Sequence, residues 1–113
     1  MRSVTPWRLP GPGFVPGVLP ARWWEITDAA EAQELESELE RETPVGHPLR
    51  DTEVHAVACR RHRKDVVFWL PVLQSWALVH LTWTVETEPH WPRVSLHDSW
   101  SEVAEELLDM EGV

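Results

Sequence analysis

The chain has 113 residues, which is enough for one domain with a single hydrophobic core. Hydrophobic residues make up 42% of it and charged residues 26%, a composition that excludes a disordered chain. A formal net charge of -9 argues against nucleic acids and acidic membrane surfaces as partners and favours a basic protein.

Cysteine usage and apolar runs predict the compartment. Cys59 is the single cysteine, so this chain forms neither an internal disulfide nor a cysteine-rich zinc site, which favours the reducing cytoplasm. The longest apolar run, residues 66–73, is far shorter than the roughly 20 residues that span a bilayer. Asn and Tyr, which have A/T-rich codons, are absent, and this indicates a GC-rich bacterial genome. We therefore expect a cytoplasmic bacterial protein without a membrane span.

Residues 1–22 are predicted to form a proline-rich N-terminal arm. Their five prolines and three glycines favour extended backbone over helix. Large hydrophobic residues make this arm unlike a flexible linker. We expect residues 5–19 to be ordered, with Trp7 or Phe14 contacting a single domain that covers residues 23–113.

The first helix is predicted to begin after Asp28 and to end near Arg41. Asp28 and Glu31 have the spacing of a capping box, in which both side chains satisfy free amides of the first turn. The apolar stripe of this helix is thin, and Glu occupies most of its other positions. Glu34 and Glu38 are candidate partner-binding residues on this acidic face.

Three consecutive strands are predicted at 52–61, 65–70 and 76–86. Each is rich in Val and aromatic residues, and short polar or proline-containing links separate them. An antiparallel meander of three or four strands is the simplest topology. If the links are plain hairpin loops, one face of the sheet carries His55, Val57, Cys59, Val66, Phe68, Leu70, Trp76, Leu78 and His80.

A second helix is predicted to begin at Ser99, with Glu102 at the capping-box spacing. Both faces of the sheet are apolar and need cover. The sequence therefore predicts an α+β fold in which two acidic helices and the proline-rich arm cover the sheet, with the helix carboxylates facing outward. The apolar stripe of the second helix consists of Trp100, Val103, Ala104, Leu107 and Leu108.

The segment WALVHLTW, residues 76–83, places His80 in the most hydrophobic part of the chain. On a strand His80 shares a face with Trp76, and this face is either a binding floor or a covered core. With Cys59 and His80 flanking Val66 from opposite strands, their separation is roughly 10 Å, too far for a nucleophile and its base.

A metal site is the alternative interpretation of the same region. His80, Glu88 and His90 are suitable ligand types for a divalent ion. Their spacing matches no strong metal motif, so we predict neither a metal nor another cofactor. A small metal-dependent hydrolase using His80 and His90 is the competing hypothesis.

Tryptophan is abundant, with eight residues. Trp23, Trp24 and Trp91 stand beside polar residues or prolines, which favours partly exposed rings. Trp beside acidic groups is typical of protein interfaces, where aromatic residues anchor and charges steer. These three residues and Trp76 are therefore candidate binding residues.

Two further polar segments carry weaker signals. The basic segment CRRHRKD, residues 59–65, is predicted to be a solubilising hairpin tip. The segment LHDSW, residues 96–100, places a His, an Asp and a Ser side by side, but adjacent side chains point apart and do not form a hydrolase triad.

The motifs VGHPL (45–49), VHLTW (79–83) and EPHWP (88–92) give the chain a family resemblance. It resembles small uncharacterised bacterial proteins with a G-H-P-L turn and an H-L-T-W strand. The resemblance implies a compact α+β domain and brings no activity with it. His47 and His80 are the motif residues that we take as candidate binding residues.

These observations lead to one functional prediction. We expect a non-enzymatic, acidic protein-binding domain of the immunity or inhibitor type, directed at a basic toxin. The partner is a basic protein, and neither nucleic acid nor membrane is expected as a partner.

Overall fold

The computed structural model describes residue 17 and residues 19–111 of the chain. Most of the predicted arm lies outside the described residues, and so do Trp7 and Phe14. In chain order, the described part contains β1 (Trp23–Glu25), α1 (Ala29–Glu42), β2 (His55–Arg60), β3 (Asp65–Leu70), β4 (Ser75–His80), β5 (Arg93–His97) and α2 (Trp100–Glu111).

Five strands form one antiparallel sheet in the order β1-β2-β3-β4-β5. Together with the two helices this confirms the α+β class, but the predicted number of three or four strands is wrong. β1 has three residues, too few to display alternation, and β5 follows a long proline-containing loop. Both segments are strands because each pairs with a neighbouring strand, which their local sequence does not reveal.

Both helices begin at the predicted caps. The Asp28 carboxylate accepts a hydrogen bond from the backbone N–H of Glu31 at 3.2 Å. Ser99 Oγ accepts one from the backbone N–H of Glu102 at 3.3 Å. These bonds satisfy amides that the first turn of a helix leaves without an intrahelical acceptor.

The two helices pack on opposite faces of the sheet and form two cores. The first core joins Ala32, Leu35 and Leu39 of α1 to sheet residues that include Val66, Phe68 and Val79. The second core joins Val103 and Leu107 of α2 to sheet residues that include Val67, Trp69, Trp76 and Leu78.

The described end of the arm lies against the second core. Leu19 packs on this core, and Trp100 packs edge-on against Trp76 at a centroid distance of 5.1 Å. A Cβ atom on Gly17 would lie 2.7 Å from Trp100 Nε1, so the backbone passes directly over this indole. Glycine, which has no Cβ, allows this close approach without a shift of the Trp100 side chain.

The predicted assignment of β4 to a sheet face is wrong by one residue. Leu70 pairs with Ser75 across the turn, so Trp76 lies opposite Trp69 and their rings are 4.7 Å apart. Trp76 and Leu78 therefore belong to the second core and not to the face of Val66. The pairing register, which depends on the turn, decides this.

An irregularity in β2 changes the predicted faces there as well. The pairing of β2 with β3 shifts between Ala56 and Ala58. Ala56 and Cys59 consequently face the first core, whereas Val57 and Ala58 both face the second. Such a bulge inserts one extra residue into a strand and breaks the strict alternation of its side chains.

His47 fastens the connection between α1 and β2 to the loop before β5. Its Nε2 lies 2.9 Å from the carbonyl oxygen of Pro92, and its Nδ1 accepts a hydrogen bond from the Leu49 N–H at 3.0 Å. The ring is neutral with the proton on Nε2, because Nδ1 faces a donor. Leu49, held in this way, is buried in the first core.

Neither helix of residues 19–111 has the length and apolar character needed to cross a membrane.

Candidate functional site

A pocket of about 430 Å³ lies at one end of β4 and β5, beside the last turns of α2. We call it the β4–β5 pocket. Its lining includes the apolar side chains of Leu78 and Met110 and the ring of Trp91. The polar residues that line it are Asp65, His80, Arg93, Ser95 and Glu106.

Sheet register brings the polar residues of this pocket together. Asp65 is paired with His80 between β3 and β4, and His80 is paired with Arg93 between β4 and β5. Directly paired residues of neighbouring strands project from the same face. Three ionisable side chains therefore form a row on the face that carries the second core.

Asp65 and His80 form a close pair. Oδ1 of Asp65 lies 2.8 Å from Nδ1 of His80, and the Asp65 side chain is almost buried. The other carboxylate oxygen lies 3.7 Å from Arg60 Nη1 and 3.5 Å from His62 Nε2. The carboxylate thus fixes the orientation of the imidazole and directs Nε2 of His80 away from itself.

Glu106 is occupied by residues of β5. One carboxylate oxygen lies 2.5 Å from His97 Nε2, and the other accepts a hydrogen bond from Ser95 Oγ at 3.2 Å. His97 Nδ1 also lies 3.5 Å from Glu102. These contacts attach α2 to β5 and use both oxygens of Glu106.

Arg93 is exposed and carries no carboxylate partner among the described residues. Its guanidinium lies over the ring of Trp91, 5.3 Å from the ring centroid. A guanidinium over an indole face is held by a cation–π interaction, which limits its freedom without using its N–H donors.

Glu36, Glu38 and Glu42 of α1 are turned into the molecule, contrary to the expectation that the helix carboxylates face outward. Glu42 is fully buried, and it accepts hydrogen bonds from the N–H groups of Thr82 and Trp83 at 2.8 Å and 2.7 Å. Glu36 accepts one from the Ala56 N–H at 2.9 Å. These side chains are structural acceptors, which their sequence spacing does not distinguish from solvated ones.

The two candidate residues of α1 are also engaged. Glu34 is exposed and forms an ion pair with Arg63 at 2.6 Å. Glu38 is buried and forms an ion pair with Arg41. Burial, together with a hydrogen bond and charge repulsion from Glu42, raises the pKa of Glu38 to about 7.

The outer side of α2 differs from α1 in that its acidic side chains are exposed. Glu102, Glu105, Leu108 and Asp109 are exposed, and we call them the α2 acidic face. Leu108 is 60% exposed, so its predicted place in the apolar stripe is wrong. Among the described residues, the side chains of Glu105 and Asp109 have no hydrogen-bond or ion-pair partner. On α2, exposed carboxylates without a partner thus lie within one turn of each other, whereas the corresponding carboxylate on α1 is Glu40.

The candidate tryptophans lie in different surroundings. Trp23 and Trp76 are buried, with 5% and 2% exposure, so a partner cannot contact them at the surface. Trp24 is 39% exposed on β1, one of the two edge strands. Trp91 is partly buried at the β4–β5 pocket. The structure thus brings Trp91 and His80 together and leaves His47 elsewhere, with both ring nitrogens occupied.

Two residues of the metal alternative contact each other, and the third is paired with a residue outside that set. His80 is paired with Asp65, and His90 Nε2 lies 3.3 Å from Glu88. Within residues 19–111, no group of three or more His, Cys, Asp or Glu side chains is arranged to hold a metal ion.

Cys59 is fully buried in the first core. Burial, followed by the charge of Glu31, raises the pKa of its thiol to about 11. A thiol with this pKa is protonated at neutral pH and is a poor nucleophile.

Sequence reasoning missed Asp65, Arg93 and Glu106 as site residues. The sequence places Asp65 at the start of the strand that neighbours the strand of His80. The predicted register between these two strands differs from the observed one by one residue, so the pairing of Asp65 with His80 was missed. Arg93 belongs to an edge strand that the local pattern does not reveal.

Comparison of the chain with protein-family models, with curated proteins and with solved structures found no significant match.

Proposed function

We propose that the protein is a non-enzymatic, acidic protein-binding domain of the bacterial cytoplasm that inhibits a basic protein, as immunity proteins inhibit toxins. The α2 acidic face is its contact surface. The resemblance carried by residues 45–49 and 79–83 is compatible with this proposal and adds no activity to it.

The observation that carries the proposal is that two carboxylates on α2 are exposed and have no partner among the described residues. Glu105 and Asp109 are exposed and have no partner among the described residues, and α2 has no basic residue in its last turn. Between them lies Leu108, a large apolar side chain that is 60% exposed. An exposed apolar residue between like charges is typical of a protein interface. The charges attract the partner, and the apolar side chain anchors it.

The contrast with α1 supports the choice of helix. On α1, ion pairs and buried hydrogen bonds engage Glu34, Glu38 and Glu42. A basic partner binding there would have to displace Arg63 or Arg41. On α2 it meets carboxylates that bind solvent, so the electrostatic attraction costs no internal contact.

Charge reversal on α2 tests the proposal. Glu105→Lys with Asp109→Lys should abolish capture of the basic partner from a lysate of the source organism. The matched control is Glu25→Lys with Glu40→Lys, two exposed carboxylates off α2 that give the same change in net charge. The control should retain the partner, because the change in total charge is the same and the contact surface is intact.

Inhibition is tested with the partner so identified. Co-expression of the wild-type domain should relieve the toxicity or block the activity of the partner, and the α2 variant should not. Equal capture by the α2 variant and the wild type would refute the assignment of the surface, and capture without any effect on the partner's activity would refute inhibition.

A further inference from the structure

The β4–β5 pocket is separate in chemistry from the α2 acidic face and has free groups of its own. Of the five polar residues in its lining, Asp65 and Glu106 are carboxylates with both oxygens in contact with described residues. Ser95 Oγ donates to Glu106. The polar groups without a partner among the described residues are the guanidinium of Arg93 and Nε2 of His80.

The free groups favour an anion. Arg93 is always charged and offers parallel N–H donors that match the two oxygens of a carboxylate. His80 is paired directly with Arg93 across β4 and β5, and both residues line the pocket. Protonation of His80 would give a second donor, since Nδ1 already faces the Asp65 carboxylate.

The remaining lining favours a flat apolar group. Leu78 and Met110 are apolar, and Trp91 provides an aromatic ring. A volume of about 430 Å³ lies in the range of pockets that bind small organic ligands. Because Trp91 already holds the guanidinium of Arg93, little side-chain entropy is lost when an anion binds there.

We propose that the β4–β5 pocket binds a small aromatic carboxylate, with Arg93 and His80 on the carboxylate and Leu78, Met110 and Trp91 around the ring. This site is independent of the proposed partner surface. The predicted ligand is negatively charged, whereas the proposed protein partner is positively charged.

Binding is coupled to protonation of His80. The charged groups that face this imidazole are Asp65 from β3, Arg93 from β5 and Glu106 from α2, with Arg60 and His62 behind Asp65. A bound carboxylate favours the imidazolium because the latter donates from Nε2. Affinity therefore rises as the pH falls through the range in which histidine takes up a proton.

The test uses three probes of the same shape and different charge: phenylacetate, 2-phenylethanol and phenethylamine. Each is titrated into the full chain, and the amide resonances of His80 and Arg93 and the indole resonance of Trp91 are followed by NMR. Phenylacetate should bind most tightly, with saturable shifts at these residues. Tighter binding of phenethylamine would mean that the carboxylates dominate the pocket, and it would overturn the proposal.

Two variants assign the contacts. Arg93→Gln should weaken phenylacetate binding by about tenfold, the scale of one charge-assisted contact. Arg61→Gln removes an exposed arginine outside the pocket and should leave the affinity unchanged. His80→Gln should remove the pH dependence. Thermal unfolding of each variant establishes that it is folded.

The same titrations can refute the proposal in three ways. Equal weakening of phenylacetate binding by Arg93→Gln and Arg61→Gln would show that the ligand binds outside the pocket, and that result overturns the site. Affinity that falls as the pH is lowered, or the absence of a saturable shift at His80, Arg93 and Trp91, does the same.

Discussion

Glu38 shows how burial changes the chemistry of one side chain. It is 4% exposed, and its pKa is raised to about 7, first by burial and then by the neighbouring carboxylate of Glu42. Below the ordinary pKa of 4.5, the folded and unfolded chains both bind the proton. As the pH rises from there to about 7, the unfolded chain releases the proton while the folded chain keeps it, so the stability that protonated Glu38 contributes is progressively lost.

Because the raised pKa of Glu38 lowers the stability of the fold as the pH rises, Glu38→Gln should be a stabilising substitution at alkaline pH. Relative to the wild type, the variant should gain on the order of 1 kcal/mol or more in the free energy of unfolding at about pH 8, and little at about pH 4.5. Urea unfolding at both pH values measures the difference. Glu40→Gln, an exposed neighbour on α1, serves as the control and should show no such dependence. An equal effect of Glu38→Gln at both pH values would contradict the raised pKa.

The Glu42 carboxylate binds the turn that follows β4. Its two oxygens accept hydrogen bonds from the N–H of Thr82, the hydroxyl of Thr82 and the N–H of Trp83. Trp83 has a φ of 59°, an uncommon conformation for a residue with a large side chain. Glu42 therefore holds the turn after β4 in place from a fully buried position.

Glu42→Gln should destabilise the fold because it turns one acceptor oxygen into an amide that faces a donor. We expect a loss of roughly 1–3 kcal/mol in the free energy of unfolding. Glu36→Gln is the matched control on the same helix, since Glu36 accepts one backbone hydrogen bond through one oxygen and glutamine keeps an acceptor. Urea unfolding at about pH 5, where Glu38 is protonated, compares the two. Equal losses in the free energy of unfolding for Glu42→Gln and Glu36→Gln would contradict the structural role assigned to Glu42.

At the scale of elements, the two helices were predictable and the sheet register was not. The caps at Asp28 and Ser99 are local signals, and both are present. The β2 bulge and the β3–β4 turn move side chains between faces through pairing with a neighbouring strand, which periodicity does not encode. The β4–β5 pocket depends on this register, and so Asp65 and Arg93 could not be recognised beforehand.

At the scale of the whole molecule, the net charge of -9 is unevenly arranged. The α1 side uses much of its negative charge internally, in contacts of Glu34, Glu38 and Glu42. The α2 side leaves Glu105 and Asp109 in solvent on the opposite face of the sheet. The electrostatic attraction of a basic protein is therefore directed towards one side of the domain.

The association rate of the captured basic partner tests this account most directly. With the wild type, the rate should fall steeply between low salt and about 0.15 M salt, because charge on α2 steers the encounter. Glu105→Lys with Asp109→Lys should lower the rate at low salt and flatten its salt dependence, while Glu25→Lys with Glu40→Lys should change both far less. A rate that is indifferent to salt, or that falls equally in the two variants, would contradict the claim that α2 recognises the partner.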